Sequence, residues 1–194
     1  MTTQFNNHTG MNNTPETVID HLQTQLATSF DLYSQIKQAH WNLKGPGFIG
    51  IHKMFDDLAG TLEGHVDTIA ERIGSLGGYA MGYASAAAAN SILDNPVDDL
   101  VQDLDWVAFI LDQYSAYSAL LYSDIKTVGD IDPATADLLI GIVRDVDLGI
   151  YFLAGHLEDE TSAEVYEAGN DDGLDSSDSD DDINEDEDTS GNAL

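Results

Sequence analysis

Residues 48–76 read FIGIHKMFDDLAGTLEGHVDTIAERIGSL, and this stretch decides the fold. Ile51, Phe55, Leu58, Leu62, Ile69 and Ile73 recur at threes and fours, the spacing of one apolar helical face. Gly77-Gly78 supplies the stop. The same helix carries polar residues that a plain amphipathic helix does not need. At ~100° per residue, His52, Asp56, Asp67 and Glu71 fall within an arc of about 100°, so they share a second face. Imidazole and carboxylate together are the ligand set for iron, manganese or zinc.

One copy of this helix cannot close a metal site. At about 1.5 Å per residue, Asp56 and Asp67 stand ~16 Å apart and His52 and Glu71 ~28 Å apart, whereas a metal–ligand bond is about 2 Å. Both pairs, however, are centred on one point, between residues 61 and 62. An antiparallel copy related by a two-fold axis there sets His52 against the other copy's Glu71 and Asp56 against its Asp67. Two identical sites result at an isologous dimer interface. Gly60 and Gly64 flank the axis and let the helices approach, and Glu63 lies on the same face at the axis, open to a solvated or secondary cation role. His40 arrives near His52 by a short loop. His65 points to the opposite side and is expected at the surface. His8 and His21 have no constellation around them, and His156 stands isolated in the last helix.

Outward from this stretch the chain stays helical. Thr14 and Pro15 open a first helix, with Val18, Leu22, Leu26, Phe30, Tyr33 and Ile36 on one face, ending near Leu43 before Gly45-Pro46-Gly47. Residues 79–96 are an Ala-, Gly- and Ser-rich connector with room for a short helix. A third long helix is expected from near Val97 to about Lys126, with Leu100, Leu104, Val107, Leu111, Tyr114, Tyr117 and Leu121 on its stripe. Asp132-Pro133 opens a fourth, carrying Leu138, Leu139, Ile142, Val143, Val146, Ile150, Leu153 and Leu157. No strand-period run and no repeat intervenes. Four helices of roughly 25–30 residues with one long central connection describe an all-α four-helix bundle with a crossover. The organisation is a flexible arm over 1–14, a bundle over 15–168, and an acidic, disordered tail over 169–194.

The chain has 194 residues, no cysteine and 42% hydrophobic residues, enough to bury one core. No cysteine excludes disulfides, thiolate zinc sites, iron–sulfur clusters and a Cys nucleophile. Its 36 acids face six bases, four Lys and two Arg, for a net charge of −30. The tail holds eleven acids and no base, which leaves −19 on residues 1–168. Charge of this sign opposes wrapping nucleic acid and binding anionic membranes. Two compatible readings of the charge remain: adaptation to a very salty cytoplasm, or a device for gathering cations. No secretory signal and no membrane-length apolar run is visible, so a cytoplasmic protein is expected. The tail reads as a solvating brush, a weak iron collector or a partner-binding segment.

The run His40-Trp41-Asn42-Leu43-Lys44-Gly45-Pro46-Gly47-Phe48, then His52-Lys53-Met54-Phe55-Asp56, then Asp67-Thr68-Ile69-Ala70-Glu71-Arg72-Ile73 and Gly77-Gly78, resembles the signature of the Dps family, the mini-ferritins. The resemblance covers residues 15 to about 160. It implies a ferritin-like bundle assembled as a hollow homododecamer of two-fold dimers. It implies a ferroxidase site with His40, His52 and Asp56 from one subunit and Asp67 and Glu71 from the other. Fe(II) is then oxidised, with hydrogen peroxide the favoured oxidant, and ferric mineral collects in the cavity. Trp41 matches a family aromatic near the site, with either a redox or a packing role. Asp132 and Asp137 are the candidates for lining the pores through which iron enters, and Arg144-Asp145 for subunit contacts. Ferritins proper and bacterioferritins use paired Glu-x-x-His motifs within one bundle, and this sequence has none. Members that bind DNA often use a basic tail. Here residues 1–36 carry no Lys or Arg and the C-terminal tail is wholly acidic, so direct nucleic-acid binding is not expected. Two other functions stay open at this point: a protective shell with secondary iron chemistry, and metal buffering without redox.

Overall fold

The computed structural model describes residues 16–157. The expected arm, with His8 and the Thr14-Pro15 helix start, and everything beyond residue 157, tail included, lie outside the described residues. Four long helices carry the fold: α1 (Glu16–Asn42), α2 (Phe48–Ser75), α4 (Asp103–Gly129) and α5 (Pro133–Ala154). A short α3 (Ala84–Asn90) sits in the connection between α2 and α4. There is no strand among the described residues, only one isolated bridge between Lys44 and Gln102. No described helix is long and apolar enough to cross a membrane.

Side-chain and backbone bonds fix the helix directions. The end of α1 meets the start of α4 through Lys44 N donating to Val101 O at 2.7 Å and Asp103 N to Lys44 O at 3.0 Å. The end of α2 meets the start of α5 through Arg72 Nη2 and Asp132 Oδ2 at 2.7 Å. Gly47 N at the start of α2 donates to Asp103 Oδ2 at the start of α4, at 2.7 Å, so α2 and α4 run parallel. Parallel neighbours cannot be joined by a tight turn, and residues 76–102 are the crossover that this demands. The crossover is stapled to α1: Gln23 Nε2 donates to Tyr79 O at 2.6 Å and Gln35 Nε2 to Asp94 O at 3.1 Å.

The core is one contiguous cluster including Leu22, Leu26, Ile36, Phe55, Leu62, Ile69, Trp106, Tyr114, Tyr117, Leu139 and Val146. The stop after α2 forms as expected. Gly77 takes φ 87°, and Gly78 N reaches back to Ile73 O at 2.9 Å. The start of the third long helix differs: it begins at Asp103, not near Val97. Asp99 sits at φ 65°, a left-handed conformation that no helix interior allows, and Gln102 is held in the bridge to Lys44. The stripe shifts with it. Leu104 is exposed, while Trp106, Val107, Ile110, Tyr114, Tyr117 and Leu121 are buried.

Candidate metal centre at the turn between the first two helices

The turn between α1 and α2 is pinned before it holds any ligand. A Cβ on Gly45 would fall 2.2 Å from Asp103 Cγ, so only glycine lets the buried Asp103 carboxylate reach the turn and bond Gly47 N. This brings His40, in the last turn of α1, onto His52, in the second turn of α2. Their rings stack with centroids 3.7 Å apart and planes 19° apart. Each Nδ1 meets the other residue's backbone carbonyl, His40 Nδ1 to His52 O at 2.8 Å and His52 Nδ1 to His40 O at 3.0 Å. A carbonyl only accepts, so each Nδ1 carries a proton, which leaves Nε2 as the ring atom with which either histidine could bind a metal. Metal-binding histidines are commonly oriented in this way.

Asp56 lies one turn further along α2. Its Oδ1 is 4.0 Å from His40 Nε2 and 2.7 Å from Lys37 Nζ. The Lys37 hydrogen bond, then its charge, holds the Asp56 carboxyl below the usual carboxylate range; His40 and His52 add to this more weakly. Lys37 was not singled out in the sequence. The available signal was its place one turn before His40 in a chain with four lysines.

The structure stacks His40 on His52, sets Asp56 4.0 Å from His40, and leaves Asp67 and Glu71 apart, exposed on the later turns of α2. Within one chain, no three His, Asp or Glu side chains among the described residues gather closely enough to hold a metal ion. The face they occupy is bare. Ile51, Phe55, Leu58, Leu62, Ile69 and Ile73 enter the core, while Asp56, Gly60, Glu63, Gly64, Asp67 and Glu71 are exposed. Added Cβ atoms on Gly60 or Gly64 would meet nothing within 4 Å. A shallow groove of ≈ 630 Å³ runs there, lined in part by Gly60, Glu63, Gly64 and Asp67.

Several other expectations change. His65 is buried, not at the surface, with Nε2 3.0 Å from Asp145 Oδ2 on α5. The side opposite the ligand face is the bundle interior. Asp145 thus has an intrachain partner, and Arg144 Nε donates to Ile140 O at 3.1 Å. His21 does have a constellation. Its Nδ1 is 2.8 Å from Oδ1 of the buried Asp124, whose Oδ2 accepts from Gln25 Nε2 at 2.7 Å. A separation of 103 residues hid that pairing from the sequence. His156 lies beyond α5, which ends at Ala154.

The two pore candidates occupy unlike positions. Asp137 is exposed on α5. Asp132 is buried, caps α5 by accepting from Ala134 N and Thr135 N, and pairs with Arg72. Burial pushes its carboxyl up, but hydrogen bonds from Thr135 and Arg72 outweigh this and hold it below the ordinary range. Trp41 is largely exposed and lines a ≈ 700 Å³ cleft with Lys44, Val97 and Trp106.

Comparison with known proteins agrees with this architecture. The ferritin-like domain family matches residues 19–162. A DNA protection during starvation protein from Agrobacterium fabrum is 35% identical over 150 residues, covering 77% of this chain and 93% of that protein. The structure of Mycobacterium smegmatis Dps in a tetragonal form superposes with a TM-score of 0.76 at 29% identity, over 80% of this chain and 95% of that one. DpsA14 from Streptomyces coelicolor gives a TM-score of 0.71 at 33% identity, over 74% and 85% of the two chains. With its parallel α2 and α4, its crossover and its histidine pair at the α1–α2 turn, the chain belongs to the Dps family of ferritin-like proteins, a family of iron storage and protection.

Proposed function

We propose that this protein is a ferroxidase that oxidises Fe(II), preferably with hydrogen peroxide, and stores the ferric product inside a homododecameric cage. The observation that carries the reading is the bare face of α2. It presents His52 and Asp56 at one end and Asp67 and Glu71 at the other, centred on one point. A two-fold partner supplies to each end what that end lacks. Fe(II) is the substrate. His40 and His52 offer Nε2 lone pairs, and Asp56 with the partner chain's carboxylates offers hard oxygen ligands that favour Fe(III) as it forms. Dividing the ligands between chains ties activity to assembly.

The net charge of −30 supports two further elements of the reading. The relatives named for DNA protection bear that name for themselves; this chain shields without binding DNA directly, because it lacks the cations that phosphate contacts require. An acidic surface poor in lysine suits a salty cytoplasm, where screening limits self-repulsion.

The test is aerobic Fe(II) addition to the assembled protein, with and without peroxide, followed by ferric absorbance. Oxidation faster than the protein-free control, faster again with peroxide, and lost in a His52→Ala, Asp56→Ala double variant is the expected result. No rate above the control overturns the reading in favour of a shell or a metal buffer. Full activity in the double variant removes the site assignment.

A further inference from the structure

A third ring stands beside the two histidines, and the ligand set makes no use of it. Phe48 opens α2, one helical turn before His52, where side chains four apart meet. The Phe48 and His52 rings stack with centroids 5.1 Å apart and planes 28° apart. His40 stacks on His52 at 3.7 Å and 19°. Two rings at these separations cannot both cover one side of an imidazole, so they flank it. Resting on the ferroxidase reading, we propose that Phe48 is a positioning residue that fixes the plane of His52 and so the direction of its free Nε2.

The argument begins at the turn. Asp103 anchors Gly47 N, and Phe48 N donates to Gly45 O at 3.2 Å, so the start of α2 is held and Phe48 with it. Phe48 is 42% exposed in the single chain and so is not part of the bundle core. The hydrogen bond from His52 Nδ1 to His40 O leaves the ring free to rock about the axis of that bond. A flat neighbour on each side removes this freedom. His40 is tied to His52 by the reciprocal bond to His52 O, so the two stacked rings form one unit. The two histidines would tilt together, and Phe48 is the outer wall against which the pair rests.

The test uses the full-length assembled particle and Co(II) as the probe, since its visible d–d bands report the geometry of bound imidazole and carboxylate. Two variants are compared with the parent, Phe48→Tyr, which keeps the flat ring, and Phe48→Leu, which keeps only apolar bulk. For Phe48→Leu, Co(II) binding should weaken about two- to ten-fold, the span of an aromatic stacking preference, and its d–d bands should broaden. The Tyr variant should match the parent in both affinity and band shape. Parent-like binding by the Leu variant overturns the proposal. So does equal loss in both variants, which would make Phe48 simple packing. So does breakdown of the particle in the Leu variant, seen by sedimentation, which would make Phe48 an assembly contact. The underlying reading fails separately. If the parent takes up Co(II) with no imidazole signature, the histidines are not ligands, and that result precedes any variant.

Discussion

Asp132 offers the sharpest quantitative test, because the sequence and the structure give it different work. Its side chain is 2% exposed and carries both the α5 cap and the pair to Arg72, at 2.7 Å. Asn at this position keeps an oxygen for the cap but loses the charge; Ala loses both. Removing one partner of a buried ion pair costs about 3–5 kcal/mol. Arg72 is 19% exposed and can turn its freed guanidinium toward water, so the lower end, about 3 kcal/mol, applies to Asp132→Asn. Loss of the cap adds about 1 kcal/mol, giving ~4 kcal/mol for Asp132→Ala. The sign of the pH dependence follows from the lowered carboxyl. Stability from the ionised group is fully present above the unfolded-state value of about 3.9 and disappears as pH falls through the lower folded-state value. Urea unfolding followed by circular dichroism, at one protein concentration so that assembly is held constant, measures this from pH 7 to pH 3. The gap between parent and Asp132→Asn should be full at pH 7 and begin to narrow below about pH 4. A gap that persists unchanged at pH 3, or variants within ~0.5 kcal/mol of the parent, refutes the buried-pair account. Unchanged stability with slowed Fe(II) uptake would return Asp132 to the pore role.

Three further outcomes are expected. Lys37→Met should tighten Co(II) binding about two- to five-fold by calorimetry, since an exposed ammonium pair is weak but must still be displaced; unchanged affinity would mean that Lys37 leaves Asp56 at no cost. Gly45→Ala should lower stability by about 2 kcal/mol or more in the same urea assay, because its Cβ would lie 2.2 Å from Asp103 Cγ; a neutral substitution would show that the turn shifts freely. Lowering salt from molar to a few millimolar should dissociate the particle in analytical ultracentrifugation, because unscreened acidic subunits repel over about 30 Å or more; a constant sedimentation coefficient would count against the salt-adaptation reading.

How much could be read without the structure depended on the distance over which each signal acts. Helix α2 was legible nearly to the residue, because its apolar period and Gly77-Gly78 stop are local. The common face of Asp56, Asp67 and Glu71 was legible for the same reason: a rigid helix converts spacing directly into direction. The α4 start was misplaced because Val97 and Leu100 look helical locally, while the left-handed Asp99 and the Lys44–Gln102 bridge are set by packing against α1. His65 was misjudged by a rule applied to one helix alone. The side opposite an exposed ligand face is the core, and there Asp145 of α5 waits 3.0 Å away. The pairing of His21 and Asp124 needs the antiparallel contact of α1 and α4, which no window of sequence contains.

The scarcity of positive charge makes its placement informative. Residues 32–55 contain no acid, yet hold Lys37, Lys44 and Lys53, three of the four lysines, together with His40 and His52. The later part of the α2 face carries Glu63, Asp67 and Glu71 and no lysine. In the proposed two-fold pairing about a point between residues 61 and 62, the end of α2 that holds Lys53 would meet the acidic end of the other copy, while Asp56 would meet the other copy's Asp67, two carboxylates that a bound cation would offset. Pairing the helices in parallel would put Glu63, Asp67 and Glu71 each against its own copy and Lys53 against Lys53. Under that proposal, a chain of net charge −30 keeps one face on which the antiparallel orientation of two copies is less repulsive than the parallel one, and it is the orientation that would complete the ligand set. Lys37 already holds Asp56, at 2.7 Å, and offsets the charge of a carboxylate that would otherwise add to the repulsion. On the proposed assembly, charge would do two separate jobs: its overall excess would keep copies apart, and its local reversal around the α1–α2 turn would favour the contact at which the ligands meet.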